Sequence, residues 1–321
     1  MNRFEWVSVR SVDDAIDQLR AGAVIKAGGV DLLDLMKEGI RSPGRVVSIQ
    51  SIPGLDRIEA NGSALHLGPL ATLAEIGESE AVTEKWPALA AAASKAATPQ
   101  IRNMATVAGN LLQRPRCWYF RSEDFHCLKK GGDLCFAQAG ENEFHAIFDN
   151  DLCAIVHPSG MAIPLIAYGA AIEIAGASER RRIPLEKFFV PPTTDISREN
   201  SLGADEMIVG INVPSPRKGT RSGYIKQGQK ESFDWPLADV AVVLEMDGNR
   251  IRSSSVILGS AAPVPRRAVA AEAFLEGKVL NESVAREAGR LAVSEATPLE
   301  RNAYKVPLFR GVVARALLQA S

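Results

Sequence analysis

No excess of charge of either sign runs through this sequence. Its 37 Lys and Arg face 38 Asp and Glu, a formal net charge of −1. Nucleic acid and anionic membranes therefore find no electrostatic footprint here. Long apolar runs are missing too: the stretch WPALAAAASKAA is shorter than the ~20 residues of a membrane span and is interrupted by Lys95. The opening MNRFEWVSVRSVDDAIDQLR has no apolar stretch of the signal-peptide kind. These absences predict a cytoplasmic chain in a reducing compartment, where structural disulfides are disfavoured. No repeat or low-complexity tract stands out. What remains is ordinary globular material, 46% hydrophobic, and 321 residues are enough for two domains.

Cysteine is also scarce, yet its placement is uneven. All four cysteines (Cys117, Cys127, Cys135, Cys153) fall in one window of 37 residues, which random placement would produce in under about 1% of cases. The gaps are nine, seven and seventeen residues, so the close C-x₂₋₄-C pair usual in structural zinc sites is absent. Four thiolates also suit a [4Fe–4S] cluster. His126, His145 and His157 lie nearby as alternative ligands. Spacing ranks iron–sulfur above zinc, and both above disulfides. The whole segment 113–155 lacks helical or strand periodicity, and so long an irregular stretch needs something to organise it.

Around that segment the chain alternates. VDDAIDQLRAG, with Ser11 as N-cap, reads as a helix, AVIKAGG as a buried strand, VDLLDLMKEG as a helix and RVVSI as a strand. LDRIEANGSALHLGPL reads as a hairpin turning at Asn61-Gly62. Helices follow near 72–79 and 83–97, the second ended by Pro99. GMAIPLIAYGA reads as a helix and AAIEIAG as a strand. Residues 177–220 are mixed and polar, suiting a connection, although EMIVGINV within them resembles a strand. The last hundred residues place three strands before helices, the pattern of a separate α+β unit.

Two glycine loops punctuate the first part. In KAGGVDLL a strand runs into Gly28-Gly29 and then a helix, which presents unhindered backbone amides at a helix N-terminus, a good seat for phosphate. A tight turn that merely needs glycine has the same appearance, and the G-x-G-x-x-G spacing is absent. In IRNMATVAGNLLQR, residues Thr106, Ala108, Gly109 and Asn110 again allow close backbone approach, with Arg102 as a nearby cation.

Taken in order, AGGVDLLDLMK, IRNMATVAGNLLQR, HPSGMAIPL and ILGSAAPVPRRAVAAEAFLEGK resemble the FAD-binding subunit of the xanthine dehydrogenase/aldehyde oxidoreductase family of molybdenum hydroxylases. The run from NLLQRPRC to CAIVHPS is similar to the branch with an extra [4Fe–4S] cluster. The resemblance implies an α+β architecture: a two-subdomain FAD-binding domain of the vanillyl-alcohol-oxidase/PCMH type over 1–176, with an iron–sulfur loop inserted at 113–155. A connection over 177–220 and a C-terminal α+β domain over 221–321, a three-stranded sheet plus helices, complete it. It further implies that Lys26, Ala27, Gly28, Gly29, Val30, Asp31 and Leu32 form the first FAD loop, and Thr106, Ala108, Gly109 and Asn110 the second, both gripping through main-chain nitrogen, with Arg102 nearby. Lys226 would lie near the isoalloxazine ring. Cys117, Cys127, Cys135 and Cys153 would hold the cluster, and no side chain would act as catalytic acid or base. The implied partners are a large molybdenum-cofactor subunit, a small [2Fe–2S] subunit and an external electron acceptor. Such complexes are also exported folded on a partner's signal, the alternative to a cytoplasmic setting. One departure stands out: Pro158-Ser159-Gly160 replaces the family's usual Pro-Ser-Asp, leaving Ser159 to compensate. A stand-alone FAD oxidase would leave the cysteines unexplained, and a zinc-stabilised scaffold would leave the glycine loops unexplained.

Overall fold

The computed structural model describes residues 1–320. It begins with a small parallel sheet of β1 (Glu5–Ser8), β2 (Val24–Lys26) and β3 (Arg45–Ser48), in the order β1-β3-β2. Parallel neighbours need crossovers, and the helices Val12–Arg20 and Val30–Lys37 supply them. Ser11 caps the first, its hydroxyl accepting from the Asp14 amide at 3.1 Å. Ala15, Ile16, Val47 and Ile49 form the small core between these layers.

The second sheet is antiparallel and five-stranded: β4 (Ile58–Ala60), β5 (Ala64–Leu67), β6 (Ala171–Ala175), β7 (Arg180–Pro184) and β8 (Met207–Pro214), ordered β4-β5-β8-β6-β7. The hairpin forms as the sequence indicates, with the Asn61 side chain accepting from the Ser63 and Ala64 amides. The segment 177–220, expected to be a connection, instead contributes β7 and β8. β8 is the central strand, paired with β5 and β6, and its Met207, Ile208, Ile211 and Val213 are buried. The single helix expected over 83–97 is divided into Glu80–Lys85 and Pro87–Lys95. The break comes at Trp86, whose ring is fully buried and whose Nε1 donates to the Pro214 carbonyl.

The C-terminal unit carries β9 (Arg221–Gln227), β10 (Ala238–Asp247), β11 (Arg250–Gly259) and the two-residue β12 (Arg266–Arg267), ordered β12-β11-β10-β9. The sheet therefore has four strands rather than three, the fourth too short to show a pattern. Helices Val269–Leu275, Glu282–Ala292 and Lys305–Gln319 enclose a core that includes Leu244, Leu258, Phe309 and Val313. Among the described residues no helix is long and apolar enough to cross a membrane.

The segment 113–155, expected as an insert, is mostly irregular, with one-turn helices at Trp118–Arg121, Leu128–Lys130 and Phe136–Gln138. It is organised by protein contacts on two sides. Lys305, fully buried, donates to the carbonyls of His145 and Ser260, and Asn302 donates to those of His145 and Ala146. Lys129 donates to the Ile196 and Arg198 carbonyls and pairs with Glu199 at 2.8 Å. Ile147 and Phe148 join the C-terminal core. The insert thus bridges both halves of the molecule.

Candidate functional site

A cavity of about 890 Å³ opens among the parallel sheet, the helix Val107–Leu112 and the near edge of the C-terminal sheet. At one wall β2 runs into Gly28 and Gly29, and the helix Val30–Lys37 begins there. Gly29 is the N-cap, at φ +84°, with no side chain to satisfy the first-turn amides. A left-handed residue at this point favours glycine, and the uncapped amides face the cavity with the positive end of the helix dipole behind them. Gly28 has a different requirement. A Cβ there would lie 1.8 Å from the Met104 carbonyl oxygen, so the two glycine loops touch each other and leave no room for any side chain.

Thr106, Ala108, Gly109 and Asn110 also line the cavity. Here the main chain is already committed. The amides of Val107 and Ala108 donate to the carbonyls of Ala71 and Pro69, that of Gly109 to the Thr106 hydroxyl, and that of Asn110 to the Thr106 carbonyl. The available donor is a side chain. Asn110 Oδ1 accepts from Ser159 Oγ at 2.7 Å and from the Met161 amide at 3.3 Å, which fixes the oxygen and leaves Nδ2 as a donor on the cavity wall. Ser159 itself is buried and caps the Ala162 amide, so it acts by orienting Asn110.

The other predicted residues divide. Ala27, Val30 and Leu32 line the cavity, as does Lys226, whose ammonium reaches the Lys95 carbonyl at 3.1 Å and whose pKa burial lowers. Asp31 lines it as well, but its carboxylate is held by Arg116 and Arg121, both at 2.7 Å, and by the Arg114 amide. The Lys26 ammonium turns to Gln50 at 2.8 Å and the Trp6 ring. Arg102 donates to the Ala96 and Ala97 carbonyls, holding the wall behind the cavity. Tyr224, Trp235 and Asp239 also line it and were not singled out in the sequence. For Asp239 a signal existed: an acid inside the apolar run ADVAVVL of β10.

These loops and the domains that carry them match a described family. Residues 2–216 match the FAD binding domain in molybdopterin dehydrogenase, and residues 223–320 the CO dehydrogenase flavoprotein C-terminal domain. The chain belongs to the FAD-binding medium subunits of the molybdenum hydroxylases. This flavoprotein is 33% identical to the aldehyde oxidoreductase FAD-binding subunit PaoB of Escherichia coli, over 93% of this chain and 92% of that one. It is 29% identical to the carbon monoxide dehydrogenase medium chain of Hydrogenophaga pseudoflava, covering 98% and 96%. A solved structure of carbon monoxide dehydrogenase from that organism superposes with a TM-score of 0.78 at 28% identity, over 99% of this chain and 97% of its counterpart.

A second, smaller pocket lies in the insert, and all four cysteines line it, with His145. Cys127 and Cys153 are buried, and no disulfide joins any pair. A hydrogen bond between Cys153 and Cys135 holds the Cys135 thiol down to about 6 and pushes Cys153 far up, while burial raises Cys117 to about 11. His145 Nε2 lies 3.2 Å from Cys117 Sγ, and burial keeps this imidazole neutral, at about 4. Among the described residues no group of three or more His, Cys, Asp or Glu stands close enough to hold a metal ion.

Arginines join the two pockets. Arg116, beside Cys117 in the chain, pairs with Asp31 and Asp34, and Arg121 pairs with Asp31, Asp34 and Glu38. All three acids stand on or just beyond the helix whose N-terminus faces the large cavity. Arg116 also packs over the Trp235 ring at 4.9 Å.

Proposed function

We propose that this chain is the electron-transfer flavoprotein of an aldehyde or xanthine dehydrogenase-like complex, working with a large molybdenum-cofactor subunit and a small [2Fe–2S] subunit. The observation that carries the reading is the cavity itself, lined by an uncapped helix N-terminus at Gly29 and by the Asn110 amide. Amides of Gly29, Val30 and Asp31 would take the diphosphate of FAD, favoured by the dipole of their helix. Asn110 Nδ2 would donate from the second loop, and Lys226 would lie beside the isoalloxazine ring. FAD, when bound, supplies the exchange of electrons with partner centres and with an external acceptor. The side chains of this chain position it and shield it from water; none is needed as an acid or base.

Cys117, Cys127, Cys135 and Cys153 would hold a [4Fe–4S] cluster. Their convergence on one small pocket supports this. The free thiols suit a reducing cytoplasm. The direct test is anaerobic purification from the native source. Bound FAD, about four irons and four sulfides per chain, and co-purifying large and small subunits are expected. A chain that takes up no flavin would refute the cofactor assignment, and zinc in place of iron would refute the cluster.

A further inference from the structure

On β10, Asp239 is 2% exposed yet lines the large cavity. Its Oδ1 has no hydrogen-bond partner. Burial raises its carboxyl to about 6, only partly offset by Ser260, Lys226 and Lys305. A buried carboxylate with an unmatched oxygen is costly, and two glycines make the space for it. A Cβ on Gly259 would lie 2.6 Å from both carboxylate oxygens, so no other residue fits there without displacing the acid. A Cβ on Gly160 would stand 4.0 Å from Oδ2 and 3.6 Å from the Tyr224 hydroxyl, with nothing else within that distance. The acid therefore looks across open space beside Gly160. It pairs in strand register with Lys226, which lines the same cavity.

Resting on the cofactor orientation above, we propose that Asp239 is a flavin-contacting residue: its carboxylate accepts a hydrogen bond from the flavin half of FAD, a ribityl hydroxyl or the ring N–H, through the space left open at Gly160. A charge-assisted bond of this kind is worth about ten- to a hundredfold in affinity. The flavin-stripped full chain is titrated with FAD, following quenching of flavin fluorescence, and with ADP, which shares only the adenosine diphosphate half. Asp239→Asn should bind FAD at least tenfold more weakly, bind ADP as the wild type does, and melt no lower. Gly160→Asp alone should also weaken FAD, because two carboxylates then face each other. Combined with Asp239→Asn it should recover affinity, the acid now entering from the other side. Unchanged FAD affinity in Asp239→Asn, equal loss of FAD and ADP, or a double variant weaker than Asp239→Asn would each overturn the inference. A wild-type chain that bound ADP and FAD equally would do so too. A wild type that bound neither would overturn the cavity assignment itself, and this inference with it.

Discussion

Arg121 ties the cysteine insert to the helix that faces the cavity, and replacing it by Met tests that tie while keeping the apolar stem. The guanidinium is 9% exposed and makes five donations: to Asp31 at 2.7 Å, Glu38 at 3.2 Å, Asp34 at 3.5 Å, and the carbonyls of Pro115 at 2.8 Å and Arg114 at 3.0 Å. Breaking a fully buried pair costs about 3–5 kcal/mol. Here the penalty is smaller. Asp31 keeps Arg116 and the Arg114 amide, Asp34 keeps Arg116, and Glu38, 32% exposed, can rehydrate. A net loss of about 2–3 kcal/mol follows, or roughly 30- to 150-fold in the balance between docked and undocked insert. Hydrogen exchange should accelerate by that factor at amides of 116–130, and FAD affinity should fall by up to the same factor, because the helix N-terminus loses its brace. Arg286→Met, which removes an exposed pair with Glu282, is the control and should cost under about 0.5 kcal/mol. Exchange and FAD affinity both equal to the wild type would refute the claim that the insert positions the cofactor loop.

Cys127→Ser should abolish the bound iron and sulfide, measured chemically, while Lys129, Asn302 and Lys305 keep the insert folded by hydrogen exchange; full cluster content would refute the ligand set. Gly160→Leu should prevent FAD uptake with little change in melting, since its side chain enters open space, whereas Gly28→Val should destabilise the fold by driving into Met104. For the flavin-free chain, Asp239 with a carboxyl at about 6, against an ordinary 3.8, binds its proton more tightly folded than unfolded. Its contribution to stability is therefore complete below about pH 4 and lost as pH rises through 6, so Asp239→Asn should gain about 3 kcal/mol on the wild type above pH 6 and nothing below 4, by denaturant titration. A pH-independent difference would refute the assignment of that carboxyl.

Much of this protein was legible before folding. Gly29 read as a helix-opening turn because left-handed backbone and an uncapped N-terminus leave a local signature, and the Asn61 hairpin and Ser11 cap did so for the same reason. The four cysteines read as a set because scarcity makes clustering visible. β8 was misplaced as linker since its apolar run says strand but cannot say which sheet; only pairing with β5 and β6 put it at the centre.

The sequence by itself determined the local chemistry: which turns need glycine, which helices start where, which residues can bind iron or present amides. Tertiary structure alone decided how those parts are used. It brought Met104 onto Gly28, consumed the second loop's amides on Ala71, Pro69 and Thr106, held the Asp31 carboxylate between Arg116 and Arg121, and set Asp239 across from Gly160. The physical reason is range. Backbone conformation and capping act over a few residues, whereas burial, hydrogen-bond satisfaction and ion pairing depend on neighbours that the chain brings together from a hundred residues away.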